Sequence, residues 1–128
     1  YKDSFYNSDI SYVDVVSWCL FLVEGETLDR INYFDENTFL YYEEFILSTK
    51  IKNINKKEIV DNNVHIIHDH SVSIDKSIKR VGKYKILKES QKYYVKNYLK
   101  ANKIELLFLY LTNKLSLFIL YIRCFLKK

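Results

Sequence analysis

Residues 33–44 read YFDENTFLYYEE, and this stretch combines a polar turn with the start of a helix. The turn is residues 35–37, Asp-Glu-Asn, and Thr38 after it is a residue type that favours the helix N-cap. Beyond Thr38, apolar side chains recur at helical spacing at Phe39, Tyr42, Phe45 and Ile46. The pattern predicts a helix that begins at or just after residue 38.

The flanking segments predict a chain of the α/β class that is mostly helical. Residues 13–23, VDVVSWCLFLV, form an apolar run rich in β-formers, which suits a buried central strand. A short helix is expected from Gly25, and residues 62–63, Asn-Asn, predict a turn between two short strands. From residue 75 the pattern is helical to the end, with a break near Gly82 as an alternative.

Length and composition describe one ordinary domain. The chain has 128 residues, 48% of them hydrophobic, which is enough for a single core. It begins at Tyr1 without an initiator Met, so we expect a cut in a longer chain, with removal of the Met by processing as the alternative. Cys19 and Cys124 lie in apolar runs without CxxC spacing, which favours buried, reduced thiols and a cytoplasmic protein.

The net charge of +4 is unevenly distributed. The chain is acidic before Lys50 and rich in lysine after it. This asymmetry indicates that the second half faces an anionic partner, either a membrane surface or a phosphate-bearing acceptor. Nucleic acid is not expected, because the basic residues form no compact Arg-rich patch.

Two motifs carry a resemblance to a known family. Residues 33–44, quoted above, are followed by residues 67–73, IHDHSVS, which fit a strand ending in His and then Ser. In this order and at this spacing the two motifs resemble the acceptor half of bacterial family 2 glycosyltransferases that build capsular and cell-surface polysaccharides. The resemblance implies that residues 1–74 are the acceptor-side half of an A-type glycosyltransferase catalytic domain, which has a Rossmann-like mixed sheet. Residues 75–128 would then form a basic, apolar helical tail.

The resemblance also implies a catalytic base. Inverting sugar transfer needs a group that takes the proton of the acceptor hydroxyl as its oxygen attacks the anomeric carbon. Glu44 stands where the family has the Asp of a Glu-Asp pair. Glu43 would then raise the pKa of Glu44 by like-charge proximity or bind the acceptor. For both residues the alternative is an exposed acidic first turn that favours the helix dipole.

A metal and a donor follow from the same resemblance. The leaving nucleoside diphosphate is commonly neutralised by a divalent cation, Mn or Mg, and His68 matches a family metal ligand, with His70 as the alternative. Strand histidines are more often structural. The nucleotide-sugar donor would be bound mainly by an upstream half that these residues lack, so we expect the isolated chain to be inactive.

Four further residues are candidate contacts of the saccharide acceptor. Asp35 and Glu36 otherwise serve as turn and capping residues, and Tyr41 would line the acceptor cleft. Trp18 would offer a stacking face for a sugar, or else belong to the core.

The sequence also departs from the family pattern at four places. Glu replaces Asp at position 44, Ile46 stands where Asp is common, and Lys50 or Lys52 stands near a common Arg. Residues 17–18, Ser-Trp, replace a small turn that contains Gly. The first departure lengthens the expected base by one methylene.

The tail is long and apolar. Residues 104–126 have the length of a membrane-spanning helix, but Lys114 at the centre would cost about 2.5–3.5 kcal/mol on insertion scales. We therefore expect an interfacial helix, peripheral at the inner face of the cell membrane, with lysines reaching anionic head groups. A buried helix or a homo-oligomer interface is the alternative.

Three functions compete at this point. The first is the acceptor half of a glycosyltransferase that extends a lipid-linked saccharide. The second is a non-catalytic remnant or a partner module for a separate nucleotide-binding chain. The third is a basic membrane-surface helical protein in which Glu44 and His68 have no catalytic role.

Overall fold

The computed structural model describes residues 5, 7–17, 19–67 and 78–126, and within them it is mixed α and β and mostly helical, as predicted. The elements in chain order are β1 (Ile10–Val13), α1 (Gly25–Arg30), α2 (Glu43–Asn53), β2 (Glu58–Asp61), α3 (Arg80–Asn97) and α4 (Lys103–Phe125). The predicted short helix at Gly25 and the long C-terminal helices are confirmed. The A-type glycosyltransferase fold stays a prediction.

The chain divides into two compact units, and the first contains the described residues up to Asp35 together with 43–67. Its sheet pairs β1 with β2 in antiparallel register, with Ile10 opposite Asp61 and Val13 opposite Glu58. Successive side chains of a strand point to opposite faces. In β2, Glu58 and Val60 are half-buried while the residues that alternate with them are exposed.

The core of this unit is small. Ile31, Leu47 and Ile51 are buried together, and Phe21, Leu28 and Ile54 pack against them. Ile46, at 2% exposure, is the most buried large side chain among the described residues. The core therefore joins the end of α1 to one face of α2.

Both α1 and α2 end in a turn that requires a left-handed residue. Asn32 has a φ of 54° and Asn55 has a φ of 59°. After α1, the Tyr33 N–H donates to the Leu28 carbonyl at 2.9 Å and the Asn32 N–H donates to the Asp29 carbonyl at 3.1 Å. This is the Schellman arrangement, in which Asn is the commonest substitute for Gly.

The predicted central strand over residues 13–23 is wrong. Strand β1 ends at Val13, and the described residues from 14 to 24 form neither strand nor helix. The physical reason lies in the hydrogen bonds, because the Val16 N–H donates to the Glu58 carboxylate at 2.9 Å instead of to a neighbouring strand. The apolar run forms the wall of a cavity, and Cys19 within it is exposed, against expectation.

Helix α2 begins five residues after the predicted N-cap at Thr38. Tyr41 and Tyr42 have φ values of 70° and 72°, which a right-handed helix cannot contain. The Thr38 hydroxyl is buried without a hydrogen-bond partner among the described residues, so it does not cap the helix. The turn at residues 62–63 is confirmed, while residues 64–67 after it form no strand.

The second unit contains residues 36–42 and the described residues from 78 onward. Helices α3 and α4 pack against each other, and the Tyr84 hydroxyl donates to Ser116 Oγ at 2.6 Å. Helix α3 continues through Gly82, so the alternative of a break there is wrong. A Cβ at Gly82 would lie 2.9 Å from Ile78 Cγ2, so a larger residue at this position would require the Ile78 side chain to shift.

Candidate functional site

The two predicted catalytic carboxylates lie in the first turn of α2. Glu43 and Glu44 open the helix, and both are half-buried. A carboxylate in this position is favoured by the partial positive charge of the helix N-terminus. The first-turn position of the alternative interpretation is therefore observed, although the two side chains are half-buried and not exposed, and the catalytic role stays a prediction.

The backbone just before these carboxylates is strained. Tyrosine seldom adopts positive φ, yet Tyr41 and Tyr42 both do so. Consecutive residues of this kind persist only where the surroundings hold them, and they cluster at functional sites. The ring of Tyr42 lies 5.5 Å from that of Tyr94, and the Leu40 carbonyl accepts a hydrogen bond from the buried Ser90 hydroxyl at 2.7 Å.

Two predicted residues, Asp35 and Glu43, line one small cleft of about 10 Å³, together with Phe34, Ile46, Leu47 and Lys50. That space holds no more than about one water molecule. Glu44 is absent from its lining, and Glu36 is exposed in the other unit. The structure thus brings Glu43 and Asp35 together but does not place all four carboxylates around one cavity.

The remaining predicted site residues are only partly described. Tyr41 is half-buried. Trp18, His68 and His70 lie outside the described residues, so their predicted roles stay predictions. In the part of the chain that the structure describes, no group of three or more His, Cys, Asp or Glu side chains comes together that could hold a metal ion.

A second cavity of the first unit was not predicted from the sequence. It has a volume of about 560 Å³, within the usual range for a small-molecule site. Its walls are mainly apolar and come from the segment before α1, from α2 and from β2. They include Val16, Phe21, Leu47, Ile51 and Val60.

Glu58 is one of three carboxylates, with Glu24 and Asp61, that line this cavity. One oxygen, Oε2, accepts the Val16 N–H at 2.9 Å, whereas Oε1 is buried and has no hydrogen-bond partner within the described residues. Burial raises the pKa of Glu58, and the nearby Ser48 hydroxyl and the Val16 N–H lower it by a smaller amount. A group perturbed in this way beside an apolar cavity is a functional-site candidate.

A second polar cluster lies on the lining of the same cavity. Lys56 Nζ lies 2.5 Å from Glu24 Oε2 and 2.6 Å from the Thr27 hydroxyl oxygen. The Thr27 hydroxyl donates to Glu24 Oε2 at 3.0 Å. Hydrogen bonding to Lys56 lowers the pKa of Glu24, which stays ionised, so the ammonium of Lys56 is neutralised by its own partner.

The inward orientation of Glu58 could have been predicted from the sequence. In β2, with the sequence EIVD, Glu58 and Val60 lie two positions apart and point to the same face, so the period-two pattern places a carboxylate on the inward face. The Val16 N–H that fixes it comes from a segment far away in the chain, and no local pattern reveals that contact.

Helix α4 presents a second unusual surface. It is long and apolar enough to cross a membrane, and only 6% of its most apolar window is buried. Its half-buried polar residues Asn113 and Ser116 lie near one stripe with the buried Leu120. The exposed remainder is largely apolar and includes Leu107, Phe108, Leu111, Leu115 and Phe118.

Comparison with known proteins gives no relative, since no family model, no curated protein and no solved structure matches the chain.

Proposed function

We propose that this chain supplies the acceptor side of a glycosyltransferase that moves a sugar from a nucleotide-sugar donor to a saccharide acceptor in surface polysaccharide synthesis. The nucleotide-binding half, and with it most contacts to the donor, would come from polypeptide outside these 128 residues. The observation that carries the proposal is the pairing of the motif over residues 33–44 with a helix that starts at its two glutamates.

The chemistry assigns separate roles to the two glutamates. Glu44 takes the proton of the acceptor hydroxyl while that oxygen attacks the anomeric carbon of the donor. Glu43, which shares its cleft with Asp35, holds the acceptor. The left-handed backbone at Tyr41 and Tyr42 supports this proposal, because strain of this kind is maintained where a turn must present particular side chains.

The second part of the proposal places the protein at a membrane surface, where a lipid-linked acceptor would be found. Helix α4 is about 34 Å long, from its 23 residues, and the apolar core of a bilayer is about 30 Å thick. Helix α3 beside it is rich in lysine, with Lys83, Lys85, Lys88, Lys92 and Lys96. This pair of helices suits a surface with an apolar interior and anionic head groups.

A second candidate function rests on α4 alone. A membrane-surface protein without catalysis would also expose this apolar helix beside a basic one. The two functions differ in their dependence on Glu44, because membrane binding by the helices does not involve that carboxylate. A partner module without its own activity is the intermediate case, and it needs the nucleotide-binding chain in order to show turnover.

The experiment that tests the proposal compares two proteins in one assay. The 128-residue chain, and the same chain joined to the coding sequence that precedes it in its genome, are each given a panel of sugar nucleotides with membrane extract as the acceptor. We expect hydrolysis or transfer from the joined protein and none from the chain alone. Turnover by the chain alone, or by neither protein with any donor, contradicts the proposal.

A further inference from the structure

We propose that the cavity lined by residues 20–24 and β2 is a slot for an extended strand of a partner polypeptide, which pairs with the outer edge of β2 and directs apolar side chains toward α2. The slot lies within the first unit. The inference does not depend on the glycosyltransferase proposal.

The outer edge of β2 carries main-chain groups that are directed away from β1. In an antiparallel pair, opposite residues alternate between those that exchange hydrogen bonds and those that do not. The Asn62 N–H donates to the Asp9 carbonyl at 2.8 Å, and the same register places Val60 in the next hydrogen-bonded pair. The main-chain groups of Ile59 and Asp61, which alternate with these, therefore face the outer edge.

These outward groups have no strand beside them in the described part of the chain. Neither the Ile59 main chain nor the Asp61 N–H has a hydrogen-bond partner there, and the Asp61 carbonyl accepts only the Val64 N–H, at 3.4 Å. An open strand edge is a template for pairing with another chain. In strand addition the main-chain hydrogen bonds supply the affinity.

The lining shows that the cavity runs along this edge. It includes two runs of consecutive residues, 20–24 and 56–61, whereas α2 contributes Leu47, Ser48 and Ile51. Successive side chains of a strand point to opposite faces, so a cavity under one face of β2 would be lined by alternate residues only. A cavity lined by every residue of β2 follows its edge.

The alternation of β2 predicts the side chains of the bound strand. Glu58 and Val60 are half-buried on the inward face, and Ile59 and Asp61 are exposed. Because neighbouring strands of a sheet share their pleat, every second side chain of the added strand would face the same way as Val60. Those side chains would meet the apolar residues of α2, and the others would face solvent.

The charges of the lining favour apolar side chains at those inward positions. All five charged side chains of the lining already contact other groups of the first unit. They are Glu24 with Lys56, Lys57 over the ring of Tyr12, Glu58 with the Val16 N–H, and Asp61 with the Asn63 N–H. In contrast, Leu20 and Leu22 of the other run are 58% and 97% exposed, so they gain from apolar contact.

The test uses two peptides with the 128-residue chain. The first alternates valine with threonine over about six residues, a usual strand length, and carries a lysine at each end for solubility. The second has the same side chains, but its central amides are N-methylated and cannot donate hydrogen bonds. We expect saturable binding of the first peptide in calorimetry, and at least tenfold weaker binding of the second.

Hydrogen exchange locates the contact. The amides of Ile59 and Asp61 should become at least tenfold more protected when the first peptide binds, because pairing occupies their outward N–H groups. The Val60 amide already faces β1 and is the internal control, so its protection should change less.

Two proline variants test the edge itself. Ile59→Pro removes an outward N–H and keeps the hydrogen bonds to β1, and it should weaken binding of the first peptide at least tenfold. Ile10→Pro, at the outer edge of β1 opposite Asp61, is the matched control and should bind like the wild type.

The wild-type protein alone can overturn the proposal, even if a variant fails to fold. Equal affinity for the two peptides contradicts main-chain pairing. The absence of saturable binding, or binding without protection of the Ile59 amide, contradicts the slot. A stable dimer that protects this amide without any peptide would make a second copy of the chain the occupant, which contradicts the choice of a partner polypeptide.

Discussion

Lys50 Nζ donates a hydrogen bond to the main-chain carbonyl oxygen of Tyr33 at 2.6 Å. The contact joins α2 to the left-handed turn that ends α1, and that turn opens the motif at residues 33–44. In the glycosyltransferase family that residues 33–44 resemble, an Arg is common near position 50. In this chain a cation there satisfies a carbonyl at a helix C-terminus, where positive charge is favoured.

Removal of this ammonium group should destabilise the first unit. Lys50→Met keeps the aliphatic stem but loses the hydrogen bond to Tyr33, and we expect a loss of about 1 kcal/mol in the free energy of unfolding. Lys52→Met, at an exposed position on the same helix, is the control and should change little. Urea unfolding measures both, and equal stability of the two variants would show that the Lys50 contact contributes nothing.

The pH dependence of stability should report the burial of Glu58. Because its folded pKa is raised, the folded state holds this proton more tightly than the unfolded state. Stability therefore falls as pH rises from the unfolded pKa through the raised folded pKa. Glu58→Gln removes this decline, so its stability relative to the wild type should increase over that window. A constant difference across pH would contradict the raised pKa.

Glu24 should show the opposite sign and so serves as an internal comparison. Its pKa is lowered mainly by the hydrogen bond from Lys56, which means that its contribution is present above the unfolded pKa and is lost as pH falls through the folded pKa. Glu24→Gln should be less stable than the wild type at neutral pH and equal to it in acid. The carboxylate is exposed, so the effect should be small and reduced by salt.

Membrane binding should depend on the exposed apolar face of α4. We expect the chain to bind vesicles that contain phosphatidylserine more tightly than vesicles of phosphatidylcholine, and less tightly at high salt. Leu111→Asp with Phe118→Asp should weaken binding at least tenfold, because both side chains are exposed on α4 and both would meet lipid. Flotation of vesicles with bound protein measures this.

The matched control for charge is Asn7→Asp with Asn53→Asp, both exposed in the first unit. It adds the same negative charge and should bind nearly as well as the wild type. Equal weakening by both double variants would mean that net charge, and not the apolar face of α4, determines binding. A stable dimer in solution that hides α4 and fails to bind vesicles would support the homo-oligomer alternative.

Local patterns in the sequence predicted the helices well. The helix over residues 104–126 was predicted from the length of its apolar run alone. At the start of α4, Asn102 and Glu105 form reciprocal capping hydrogen bonds. The short helix at Gly25 followed from its apolar face. These elements depend on contacts between near neighbours in the chain, which periodicity and capping residues describe.

Predictions that depended on distant contacts failed. The apolar run at residues 13–23 looks like a central strand, but a strand needs neighbours, and the described sheet gives it none beyond β2. Helix α2 begins later than predicted, because Tyr41 and Tyr42 adopt a positive-φ conformation that is rare for tyrosine. Glu58 was not predicted as a site residue, because the Val16 N–H that it contacts is far away in the sequence.

The role of Glu44 is the central claim, and one comparison tests it most directly. The full polypeptide, with its nucleotide-binding half, is assayed for sugar transfer as wild type, as Glu44→Gln and as Glu26→Gln, the control at an exposed position of α1. We expect Glu44→Gln to lose transfer by roughly 10²–10⁴-fold while donor binding survives, and Glu26→Gln to be fully active. Transfer by Glu44→Gln at the wild-type rate would contradict the assignment of Glu44 as the base.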